Sequence, residues 1–245
     1  MSLHDGPALP GEAAPITVHT DRWRATLPPD AWPDGFPEAG SVWRRDVFAV
    51  ADAWREGAAS PRQLLAAVLM WGYGPIGYGP WRAARSLKDD PDGSRLTHAL
   101  DGIMVATPDE EALGTAYRRF RDPKESRLPW LGPAFFTKLL YFAGYRRDAE
   151  SRRDAEGRSG AEGWRGGEGL RPLILDRVVA GRLPAEAGVR RRSGWLSEEW
   201  LAYLRWAAAQ AEVRGVEPDE VEMALFHDRW PPSNAGPAIG LPAPE

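Results

Sequence analysis

Lys138 and Asp176 are the two side chains whose types and surroundings could do chemistry together. Lys138 lies in PAFFTKLLYFAG, among Phe135, Phe136, Leu139, Leu140 and Tyr141. Apolar neighbours withdraw water from an amine and favour its neutral form, which can add to an electron-poor carbon and give a Schiff base. Asp176 follows the apolar triplet Leu173-Ile174-Leu175 and precedes Arg177-Val178-Val179. That setting either buries the carboxylate or places it at a helix N-terminus. A carboxylate there stabilises developing positive charge and can pass protons. Taken singly, a helix lysine more often lies along the surface with its head in water, and an aspartate before a helix is often only a cap.

A second cluster is aromatic. WGYGPIGYGPW holds Trp71, Tyr73, Tyr78 and Trp81 between glycines that let the backbone bend close to a ligand. Its doubled Gly-Tyr-Gly-Pro predicts a loop, and its rings could line a pocket for a planar group or plug a core. Phe226 and Trp230 are weaker candidates. The chain carries 12 Trp, many for its size. Arg190, Arg191 and Arg192 form a basic run that could touch phosphate or merely face water.

Composition removes other chemistries. The chain has 245 residues and no Cys, which excludes disulfides, thiolate zinc sites, cysteine-held iron–sulfur clusters and a cysteine nucleophile. Its four His (His4, His19, His98, His227) lack paired metal-ligand spacing. With 43% apolar and 27% charged residues the chain is an ordinary globular one. The net charge of −4 leans against a polyanion partner, although basic residues outnumber acidic ones from Tyr145 to Trp195. The apolar run Leu64 to Trp71 is too short to span a bilayer. The opening MSLHDGPALPGEAAP has neither a basic head nor an apolar stretch, so no secretory signal and a cytoplasmic protein are expected.

The elements that must position these residues are mainly helical. Residues 1–41, rich in Pro and Gly, predict an extended N-terminal segment. Residues 42–145 form a helical lobe. In it Val47, Val50, Ala51 and Trp54 share a helix face, and Ser60-Pro61-Arg62-Gln63 is a capping sequence for the apolar helix LLAAVLMWG. Thr107-Pro108-Asp109-Glu110 begins a helix with Leu113, Ala116, Tyr117 and Phe120 on one face. A short turn, LPWLGP, then leads to a helix over 134–143. Residues 146–169 are a low-complexity Arg/Glu/Gly insert. Residues 170–230 form a C-terminal helical lobe with helices from Ser197 and Pro218, and residues 231–245 a disordered tail. Little or no sheet is expected.

LPWLGPAFFTKLLYFAG resembles the helix-hairpin-helix of the DNA glycosylase superfamily, spanning about 107–143 here, and PLILDR resembles that superfamily's aspartate motif. With WGYGPIGYGPW, these motifs resemble its bacterial 8-oxoguanine-glycosylase-like branch over about Val42 to Trp230. Two departures stand out. Trp130 replaces the first glycine of the usual Leu-Pro-Gly-x-Gly turn, and Lys138 lies six residues after Gly132 where the family has two. Those four extra residues are about one turn, so the side chain keeps its face. The 38 residues between Lys138 and Asp176 are about twice the family's spacing, and the insert accounts for the excess.

The resemblance implies a two-lobed helical fold in which Lys138 is the nucleophile at C1′ and Asp176 its assistant. Trp71, Tyr73, Tyr78 and Trp81 would line the base pocket. Trp130, Leu131, Gly132, Ala134 and Arg190–Arg192 would meet the DNA backbone. It further implies a monomer acting on double-stranded DNA with an abnormal base, without metal or organic cofactor. The rival readings are a non-catalytic nucleic-acid-binding module and a helical adaptor for other proteins.

Overall fold

The computed structural model describes residue 9 and residues 12–37, 40–104, 108–146 and 170–230. The rest of the insert and the whole of 231–245 lie outside the described residues. Among those described, ten α-helices alternate with short connections: α1 (Thr20–Thr26), α2 (Arg44–Arg55), α3 (Pro61–Tyr73), α4 (Gly79–Asp89), α5 (Ser94–Leu100), α6 (Glu110–Arg119), α7 (Pro133–Gly144), α8 (Arg177–Arg182), α9 (Ser197–Arg214) and α10 (Pro218–Phe226). The sheet is one antiparallel pair, Ile16–Thr17 against Ser41–Val42, with Ile16 opposite Val42. The fold is mainly α, as the sequence predicts.

Helix α3 is the central rod. Ser60 caps it by accepting from the Gln63 amide at 3.2 Å while Gln63 Oε1 accepts from the Ser60 amide at 2.8 Å. Leu64 to Met70 are all buried, so the helix meets protein on every side. It packs against α2 and α7. On α2, Val47, Val50, Ala51 and Trp54 face the core as expected. A continuous cluster of buried side chains runs from Val18 to Leu225.

Four expectations need correction. Residues 1–41 are not wholly extended: α1 forms there, anchored by buried Trp23. Helix α6 is capped by Asp109, whose Oδ1 accepts from the Ala112 amide at 2.8 Å, and Thr107 lies outside the described residues. The aromatic loop is only Gly74–Tyr78, because α3 continues through Tyr73 and α4 starts at Gly79. A Cβ on Gly79 would stand 2.8 Å from that of Tyr73, so this glycine serves close packing, not a bend. Finally, the connection from α6 to α7 is not a short turn but residues 120–132, folded through bonds such as Arg127 N to Asp122 O.

Leu173, Ile174 and Leu175 are buried yet belong to neither helix nor strand. Their backbone groups need partners. Trp200 Nε1 donates to Leu173 O at 3.0 Å. Thr137 Oγ1 accepts from the Leu175 amide at 3.2 Å and lies 3.3 Å from Leu175 O. Thr137 thus fastens the segment before Asp176 to the turn of α7 that carries Lys138. Thr137→Val keeps the shape and removes the hydroxyl, so it should destabilise the fold by about 1–3 kcal/mol. Urea unfolding at neutral pH measures this; an unchanged midpoint would deny Thr137 its role as a fastener.

Candidate active site

Lys138 Nζ donates to Asp176 Oδ2 at 2.8 Å and lies 3.3 Å from the Ala134 carbonyl. Both side chains are largely buried, 9% and 15% exposed. Asp176 is also the N-cap of α8: its Oδ1 accepts from the amides of Val178 at 3.0 Å and Val179 at 3.1 Å. Burial alone would raise its pKa. The Lys138 ammonium and the two amides outweigh burial and hold the carboxyl below the usual aspartate range. Both alternatives for Asp176, burial and a helix N-terminus, hold at once.

The pair lines a cleft with about 570 Å³ of empty space, its open mouth included. The cleft draws on both ends of the described chain. Glu12, Ala14 and Ile16 come from the N-terminal segment, Arg44 from α2, Trp71 and Gly72 from α3, and Glu222, Met223, Phe226 and His227 from the end of the fold. Gly72 is there for close approach, since a Cβ would fall 3.1 Å from Lys138 Cδ. Arg44 grips Glu222 through two bonds, Nη1 to Oε2 at 2.7 Å and Nη2 to Oε1 at 3.3 Å. Burial works against the Arg44 charge, but Glu222 more than offsets it and keeps the guanidinium protonated. Burial pushes the Glu222 carboxyl up against the pull of Arg44. Burial likewise lowers the His227 pKa, helped by Arg229 and Arg44. It raises that of Glu12, although the Arg44 amide, 2.8 Å away, opposes it.

The four expected pocket aromatics separate. Trp71 lines the cleft. Tyr73 is 3% exposed and packs on Phe135 and Trp23, because its place on α3 points it into the core. Tyr78 and Trp81 are exposed and do not line the cleft, since the start of α4 carries them to the surface. Phe226 joins the cleft, whereas Trp230 packs on Trp206.

The hairpin turn is Leu128–Leu131, closed by Leu131 N to Leu128 O at 3.3 Å. Pro129 is its second residue and Trp130 its third, with φ +64°. That is the left-handed conformation a glycine would supply, here carried by a tryptophan. Leu131 is buried and offers no side chain to a partner. Gly132 is the N-cap of α7 without a side-chain cap. Among the described residues the amides of Gly132 and Ala134 have no backbone acceptor, while those of Phe135 and Phe136 bond to Gly132 O. Arg190, Arg191 and Arg192 are exposed outside the cleft; Glu199 accepts from the first two amides.

Arg44, Glu222, Glu12 and His227 were not among the expected site residues. Arg44 and Glu222 are 178 residues apart, and no local pattern announces their pairing. Among the described residues no group of three metal-ligating side chains occurs, and no helix is long and apolar enough to cross a membrane.

Because Asp176 ionises more readily folded than unfolded, its stabilisation is present above the ordinary carboxylate range and fades as pH falls through its lowered value. Asp176→Asn should remove about 3 kcal/mol at pH 7 by leaving Lys138 unpaired. The variant should also lose less stability than the parent on acidification. Urea midpoints from neutral to acidic pH test this, and parallel curves would show that the ion pair contributes nothing.

Neither a curated protein nor a solved structure matches the chain. A family model does match, over residues 10–155 and 160–226, and its description is "Putative 8-oxoguanine DNA glycosylase OGG-like protein". That match takes in the N-terminal segment, the hairpin, Lys138, Asp176 and α10, and the chain belongs to this OGG-like family.

Proposed function

We propose that the protein is a DNA N-glycosylase that removes an abnormal base, oxidised guanine first, with Lys138 as nucleophile and Asp176 as its assistant. The observation that carries this reading is the 2.8 Å contact between the largely buried Lys138 Nζ and Asp176 Oδ2 in a cleft of an OGG-like chain. Breaking a glycosidic bond builds positive charge on the sugar, and a carboxylate that stays ionised is suited to stabilise it.

The step balances simply. The base leaves C1′ with the bonding electron pair, and Lys138 Nζ forms the new bond to C1′. One proton passes from the lysine ammonium to the departing base, with Asp176 as a way station. Opening of the sugar ring turns the adduct into a Schiff base. Removal of a C2′ proton then expels the 3′ phosphate, which nicks the strand.

DNA enters this reading without an excess of basic residues. The amides of Gly132 and Ala134 point from a helix start, where the positive end of α7 suits a phosphate. Trp71 and Phe226 are the rings placed to flank an extruded base.

Borohydride reduction traps a lysine–sugar Schiff base as a permanent protein–DNA adduct. Incubation with duplexes carrying different abnormal bases should give that adduct with one of them, and Lys138→Gln should reduce it at least about 100-fold. Undiminished trapping in the variant would reject Lys138, and no cleavage of any such duplex would reject the enzyme. Gly72→Ala gains helix propensity but presses on the buried Lys138 side chain, so stability should change by no more than about 1 kcal/mol. By displacing Lys138 it should still slow trapping by about 10- to 100-fold; trapping at the parent rate would show that close approach is unimportant.

A further inference from the structure

The aromatic rings exposed among the described residues are Tyr78, Trp81 and Trp130, and all three lie in one patch. Trp81 and Trp130 have ring centroids 5.4 Å apart. The Arg82 guanidinium bridges the patch, 4.2 Å from the Tyr78 ring centre and 5.0 Å from that of Trp130. Arg85 lies 4.5 Å over Trp81. The patch is held in shape from below: Ser86 on α4 bonds to the Pro129 carbonyl in the hairpin turn. Ile76 adds an exposed apolar tip on the loop before Tyr78.

A row of packed rings leads inward from the patch to the helix turn that carries Lys138. Phe135, beside Gly72 and Lys138, has its centroid 4.1 Å from that of Tyr73, and Tyr73 is 6.0 Å from Tyr78. The same turn that carries Trp130 leads into Gly132 and the open amides of α7.

Flat rings interleaved with guanidinium groups suit one class of occupant. Neither Arg82 nor Arg85 has a carboxylate ion-pair partner among the described residues, so both charges are available to a polyanion. Arginine beside Trp and Tyr also occurs at protein interfaces, but this is an OGG-like chain, and nucleic acid supplies phosphates for the charges and bases for the rings. A paired duplex keeps the faces of its bases stacked internally. The geometry points to a platform that stacks on unpaired bases of DNA, next to the cleft that takes the target nucleotide. It rests on the glycosylase reading for its substrate and adds a preference for DNA that is locally opened.

The test compares binding to a fully paired duplex and to the same duplex with a short unpaired bubble. Trp130→Gly is the cleanest variant, since glycine keeps the φ of +64° and removes only the ring. Trp81→Ala removes the neighbouring ring, and thermal unfolding checks that both variants fold. The parent protein should prefer the bubble, and each variant should lose about 5- to 140-fold in bubble affinity, the range for one stacked base. Paired-duplex affinity should stay within about twofold. Lys138→Gln, checked for folding in the same way, should lose the borohydride adduct while keeping the parent's ratio of bubble to paired-duplex affinity, so the platform and the nucleophile fail separately. Variants that bind both DNAs like the parent, or that weaken both equally, overturn the platform alone. A parent protein without salt-dependent affinity for either DNA overturns both the platform and the glycosylase reading.

Discussion

A single, largely buried ion pair between Lys138 and Asp176 is the interaction on which the organisation of the site depends. Burying opposite charges helps only when their remaining hydrogen bonds are met. Here they are met by backbone. Asp176 spends one oxygen on the lysine and the other on two amides at the start of α8, while the ammonium also faces a carbonyl one turn back. The pair cannot drift, because Thr137 ties the neighbouring backbone of one partner to the helix of the other. Two residues distant along the chain are held as tightly as residues on a common turn.

The same economy explains how a chain of net charge −4 belongs to a family of DNA-acting proteins. Overall charge governs long-range attraction, which salt screens within about 10 Å. Contacts at closer range are set by local groups. In the proposed reading those groups are helix-start amides and arginines laid over aromatic rings. A few acidic residues are buried in structural tasks: Glu222 answers Arg44, Glu217 answers Arg171 and Asp219 accepts from Tyr141.

What the sequence made legible was local. Ser60 and Gln63 announced α3 because a capping box is written within four residues, and its apolar residues LLAAVLMWG announced a buried helix. Asp176 was legible for the same reason: an aspartate before a helix has few things to do. Trp71 lines the cleft, whereas Tyr73, Tyr78 and Trp81 do not. Glycines that serve close packing read in a sequence as bends, and Gly79 is one of them. Helix α1 was hidden in Pro-rich surroundings because one tryptophan, Trp23, secures it. Arg44 with Glu222 was beyond sequence reasoning, since a long-range pair leaves no periodic trace in either segment.

That last pair sets an order of events during folding. The floor of the crevice is closed by α2 near one end of the described chain and α10 near the other. Until α10 docks, the Arg44 guanidinium lacks its bidentate partner, and burying it without Glu222 would be unfavourable. The core around α3 can condense earlier from residues close in sequence. The cleft is therefore complete only when both ends of the described chain are in place, a demand that the core around α3 does not share.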